Sequence, residues 1–174
     1  MKQIISAAAV SLLLASSAIA QDMPAGSPDK AAPAMNVEAP KFVEMASASN
    51  MFEIESSKLA QEKAPSEDVK QFAGQMITDH TKAGEDLKAA TDNAPPMKLA
   101  PKQAAMMELL QNAQGDAFEQ LYIDMQAQAH MEAVMLFRTY SGAGDDEQLV
   151  AFAKKTLPTL EQHMMHVKDL VAKH

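Results

Sequence analysis

Apolar residues recur three and four apart along most of the chain beyond residue 40, the spacing of an amphipathic helix with one face turned to a core. Residues 66–90 show it clearly, with Val69, Phe72, Ala73, Met76, Ile77, Ala83 and Leu87 on one side. Ser66 stands where a helix N-cap should, with Glu67 and Asp68 in the first turn behind it. His80 falls near the middle of the apolar face, where an imidazole must find a hydrogen-bond partner or a metal, or stay neutral at some cost.

The same reading predicts helices at residues 40–63, 102–113, 116–140 and 146–172. In the first, Phe42, Met45, Ser49, Phe52, Ser56 and Leu59 form the expected inward seam, narrowed by its two serines. Pro40 suits a first helical turn. Ala64-Pro65-Ser66 is too short a break for anything but an antiparallel helical hairpin. The prolines at 95, 96 and 101 make residues 92–101 a crossing loop, and Gly115 kinks or breaks the chain between the short helix and the next long one. Ser141-Gly142-Ala143-Gly144 is a helix stop, and Asp145 or Asp146 caps the last helix. Leu149, Phe152, Ala153, Leu160, His163, Val167 and Leu170 face inward on that helix, which Pro158 is expected to kink.

Residues 1–20 have the form of a cleavable secretory signal: Lys2, an apolar run over residues 4–15, and the small-x-small site Ala18-Ile19-Ala20. Residues 21–39, rich in Pro and Ala, read as a flexible linker, leaving residues 40–174 as the folded domain. Nothing later is long and apolar enough to cross a bilayer as a helix. An exported, periplasmic or secreted protein is expected. The 174 residues carry a net charge of −8, which argues against nucleic acid and anionic membranes as partners. The absence of Cys removes disulfides, thiolate metal sites and cysteine nucleophiles together.

The chain echoes itself at an offset of 80. Phe42-Val43-Glu44-Met45 aligns with Tyr122-Ile123-Asp124-Met125, Glu67 with Glu147, Val69 with Leu149, and Phe72-Ala73 with Phe152-Ala153. Two hairpins so related would form an all-α, pseudo-symmetric four-helix bundle with one short extra helix in the crossover. The segments FVEMASASNMFEIESSKLA, VKQFAGQMITDHTKA, IDMQAQAHMEAVMLF and VAFAKKTLPTLEQH, with the Asp79-His80-Thr81 step and the run from Thr156 to Leu160 ahead of His163, resemble the exported bacterial family called domain of unknown function 4142. That resemblance implies a ferritin-like bundle and brings no established activity.

Histidines and carboxylates carry the candidate chemistry. His80 and His163 face inward from different hairpins, and His130 lies at the edge of the buried face of its helix, with Glu132 close by. Glu53 and Glu55 flank the seam of the first helix, and Asp79 flanks His80. Imidazole and carboxylate drawn from facing helices suit Zn, Fe, Mn or Cu. A di-iron centre would need Glu-x-x-His pairs, but Ile77 and Leu160 stand three residues before His80 and His163. The run His163-Met164-Met165-His166 offers soft donors suited to copper, yet neighbours on a helix point about 100° apart and cannot all meet one ion. No Gly-x-Ser-x-Gly, His-Glu-x-x-His or phosphate loop occurs, so no nucleophile or substrate pocket can be named. Two function classes remain: a transition-metal-binding protein, or a non-catalytic envelope or stress-related interaction module whose buried histidines are structural.

Overall fold

The computed structural model describes residues 37–91 and 96–174. The signal and nearly all of the linker expected at residues 1–39 lie outside the described residues, as do positions 92–95 of the expected crossing loop. Five helices and no strand occur among the described residues: α1 (Ala39–Lys63), α2 (Glu67–Ala89), α3 (Pro101–Asn112), α4 (Gly115–Ala143) and α5 (Glu147–Lys173). The long four make a ferritin-like bundle, with α1 packed on α2, α4 on α5, and the two hairpins packed on each other. Among the described residues no helix is long and apolar enough to cross a membrane.

Local chemistry sets the ends. Ser66 accepts a hydrogen bond from the Val69 amide and Asp146 one from the Leu149 amide, so each hairpin's second helix begins on a side-chain cap. These caps sit 80 residues apart, and α1 and α4 end 80 apart at Lys63 and Ala143. The two hairpin turns thus keep the offset of the repeat, while the outer ends of the helices do not. Gly115 opens α4 at φ 56°, a left-handed conformation that suits glycine and separates α4 from α3. Lys63 donates to the carbonyls of Leu110, Gln111 and Ala113, satisfying the end of α3 and fixing it across α1. Helix α5 continues through Pro158, although the ring leaves the Lys154 carbonyl without its usual backbone donor.

The core comes in two parts. One gathers Phe72, Met76, Phe118, Tyr122, Val167 and Leu170. The other is built around Phe42, Phe137, Tyr140 and Phe152, with the Phe42 and Tyr140 rings stacked at 3.9 Å. Between them the bundle turns polar. The inward face of α1 differs from the expected seam: Met45 is 42% exposed, while Asn50, Glu53 and Ser57 are buried. Helix α1 touches α2, α3 and α4, so its buried arc is wide and takes in positions that apolar spacing passes over.

Candidate metal centre

The polar layer places one histidine on each of α2, α4 and α5: His80, His130 and His163, which are 5%, 0% and 1% exposed. Their rings form a near-equilateral triangle, with centroids 5.6 Å apart for His80 and His130 and 5.4 Å for each other pair. One ligand atom from each lies within 4.8 Å of the other two. Around a tetrahedral ion with bonds of about 2.0–2.1 Å, donor nitrogens stand roughly 3.3–3.4 Å apart, so small ring movements would close the triad on one ion.

Each ring is held from behind. His80 Nδ1 lies 3.0 Å from Asn50 Oδ1, His130 Nδ1 2.9 Å from the Gln126 carbonyl, and His163 Nε2 2.9 Å from Asp79 Oδ2. All three partners are oxygens that accept, so each imidazole carries its proton on the anchored nitrogen. The opposite nitrogens, His80 Nε2, His130 Nε2 and His163 Nδ1, are therefore lone pairs, and all three are buried without a hydrogen-bond partner. Leaving such a group unmade costs about 1–3 kcal/mol. An oxygen behind and a bare nitrogen in front is how metal-binding histidines are oriented.

The electrostatics keep those lone pairs free. Burial holds His80 well below the usual imidazole range, helped by His130 and His163. Burial lowers His130 to about 4, against the Gln126 carbonyl. Burial also lowers His163, opposed by Asp79. The triad is neutral near pH 7 and needs to shed no proton before accepting a cation.

Glu53 lies in the same layer on α1, 1% exposed, with Oε1 3.7 Å from His130 Nδ1 and neither oxygen hydrogen-bonded. Burial pushes its carboxyl up to about 8, opposed by the Gln126 amide. It stands behind His130, on the anchored side of that ring. Asp79 is likewise behind its histidine, a partner to His163. The other two sequence candidates lie at the surface: Glu55 pairs with Lys58 at 2.8 Å and Glu132 with Lys102 at 2.6 Å. His166 pairs with Gln75 at the surface. Apolar spacing passed over two residues of the layer. Asn50 orients His80, and Gln126 supplies the carbonyl behind His130 while its Nε2 donates to Ser56 Oγ at 3.0 Å. The available signal was polar: Asn50, Glu53 and Ser57 recur at core pitch on one helix.

The family described as Domain of unknown function (DUF4142) matches residues 24–170. No curated protein matches the sequence. Among solved structures, CopM in a Cu(II)-bound form superposes with a TM-score of 0.67 at 18% identity, over 80% of this chain and 99% of that one. CopM in a silver-bound form gives 0.65 at 17% identity, over 79% and 98%. A DUF305 protein from Streptomyces coelicolor, described as secreted, gives 0.63 at 16% identity, over 76% and 89%. At these identities the likeness is one of fold.

Proposed function

Because the chain belongs to the family described as Domain of unknown function (DUF4142), which assigns no activity, we propose its function from the site itself: it binds one transition-metal ion through His80, His130 and His163. The observation that carries this reading is the set of three buried imidazoles with a ligand atom of each within 4.8 Å of the others, each ring anchored through one nitrogen and unpartnered at the other. A purely structural role would account for the anchors and leave the three lone pairs without a purpose. Asp79 acts behind His163 as an orienting carboxylate, and Glu53 supplies a buried carboxyl beside His130 that can ionise to offset the charge of the ion. Three imidazoles without a thiolate suit Cu(II) or Zn(II) among the candidates, and the Cu(II)- and silver-bound forms of CopM, on the same fold, support testing copper first. One buried histidine on each of α2, α4 and α5, without Glu-x-x-His pairs, supports one ion rather than a di-iron centre. The leader-like residues 1–20 and the secreted DUF305 neighbour support export to the periplasm, where the protein would hold or carry its metal.

Metal analysis of protein isolated from the periplasm, with thermal shifts on adding Cu(II), Zn(II), Mn(II) or Fe(II), tests the reading. One equivalent bound, with a shift lost in His80→Ala and His163→Ala, is expected. Metal-free protein insensitive to all four ions would refute it.

A further inference from the structure

The three anchors behind the histidines are not alike. The Gln126 carbonyl and the Asp79 carboxylate accept and have no proton to give, so they fix the tautomers of His130 and His163 outright. Asn50 is different: its amide carries an accepting oxygen and a donating NH2 group, and either could face His80. With Oδ1 towards the ring, as found at 3.0 Å, Nδ1 holds the proton and Nε2 is a lone pair. With the amide turned round, Nδ2 would donate to Nδ1, and the proton would lie on Nε2 and block the metal-facing position. The bond to His80 does not choose between these arrangements, since both satisfy it. The choice must come from the other end of the amide, where Nδ2 lies 3.6 Å from Met97 Sδ. A thioether accepts hydrogen bonds and has none to give. Turning the amide would set Oδ1 against Sδ, acceptor against acceptor, at a residue only 7% exposed, where water can do little to relieve it.

We propose that Met97 is a positioning residue for the metal centre: by accepting from Asn50 Nδ2 it holds Oδ1 on His80 Nδ1 and so keeps His80 Nε2 bare. The inference rests on the metal-binding reading above and deepens it. Local packing serves the contact. Met97 stands in the segment between α2 and α3, 39% exposed, with its thioether beside Gly84 of α2. A Cβ at Gly84 would lie 3.4 Å from Met97 Sδ and 3.5 Å from its Cε, so the missing side chain makes room for the thioether to reach Asn50. An aliphatic side chain of the same size would fill that space and leave the direction of the amide undecided. The segment that crosses between the two hairpins thereby takes part in the site, although it carries none of the three histidines.

Nitrogen-15 NMR of the imidazole rings reports the tautomers directly in the metal-free full chain near neutral pH, with His80 assigned by its loss in His80→Gln. The wild type should show His80 protonated at Nδ1 and bare at Nε2. Met97→Leu keeps the bulk and removes the acceptor. It should show a second His80 form protonated at Nε2, with His130 and His163 unchanged. Its Cu(II) affinity should fall by roughly twofold or more, as the share of the competent tautomer falls. Met97→Glu returns an acceptor with no proton to give and should restore the single Nδ1–H form. Should the leucine variant not fold, Met97→Ala takes its place, since water admitted there both donates and accepts and cannot choose for the amide. A leucine or alanine variant whose His80 stays wholly in the Nδ1–H form, or a wild type protonated at Nε2, would overturn the role of Met97 while the copper titration still decides the metal centre. A wild type that takes up no Cu(II) would overturn the metal centre, and the positioning role with it, whatever the tautomer.

Discussion

The carboxylate of Asp79 lies 2.9 Å from Nε2 of His163 and so decides that Nδ1, not Nε2, of that ring faces the interior. The two residues come from different hairpins, so the bond both orients a metal-facing nitrogen and ties α2 to α5. Losing such an orienting partner lowers metal affinity by about 10–100-fold. Asp79→Ala should show that loss by calorimetric titration, and Asp79→Asn, which keeps an accepting oxygen, a smaller one. Equal affinity in Asp79→Ala and wild type would mean that His163 is not a ligand.

Asn50 does the same for His80 but is itself hemmed in. A Cβ on Gly84 would come 2.9 Å from Asn50 Nδ2 and 3.4 Å from Met97 Sδ, which Asn50 also contacts. Gly→Ala within a helix ordinarily stabilises by about 1 kcal/mol. Here it should push Asn50 off His80. Gly84→Ala is therefore expected to weaken metal binding while changing the metal-free melting temperature little, a separation that calorimetry and thermal denaturation check together.

The buried titratable groups oppose one another with pH in the metal-free protein. Depressed histidines favour the fold above their unfolded pKa of about 6.5 and lose that contribution as pH falls through their lowered values, which for His130 is about 4. Glu53, raised to about 8, contributes fully below its unfolded value of about 4.5 and loses that contribution as pH rises to about 8. Three histidines outweigh one carboxyl on the acid side. Stability should climb to near pH 6.5 and then decline towards 8. Urea titrations of Glu53→Gln should lose the decline and keep the acid limb; an unchanged decline would place its cause elsewhere.

Glu55 and Glu132 serve as controls. Both are half-exposed and paired with lysines at the surface. Their replacement by Ala should change stability by no more than about 0.5–1 kcal/mol and leave metal affinity as it was. A marked loss of affinity in either, by the same titration, would mean that the ligand set extends beyond the three histidines.

The helices were legible because caps, prolines and apolar spacing agree: Ser66, Asp146 and the stop at Gly144 place both hairpins. The site was legible only where its residues lie on a narrow apolar stripe. His80 and His163 sit on α2 and α5, whose buried faces are single stripes that a period of 3.6 residues reveals. His130 looked marginal because α4 meets α1, α3 and α5 and buries a broad arc. The face of α1 was misjudged for the same reason. Glu53 and Asn50 are polar, so a search for hydrophobic periodicity treats them as boundary positions. Glu132 was attractive through nearness to His130 in sequence, but a step of two residues along a helix turns a side chain about 200° away; Glu55 was attractive as a flank of the α1 seam, but that flank is the one facing solvent.

The most direct test is X-ray absorption at the copper edge of protein loaded with one equivalent of Cu(II), in the wild type and in a His80→Ala/His130→Ala/His163→Ala variant. Three imidazole nitrogens at about 2.0 Å are expected in the wild type and no specifically bound copper in the variant. The same imidazole spectrum from both proteins would contradict the proposed centre.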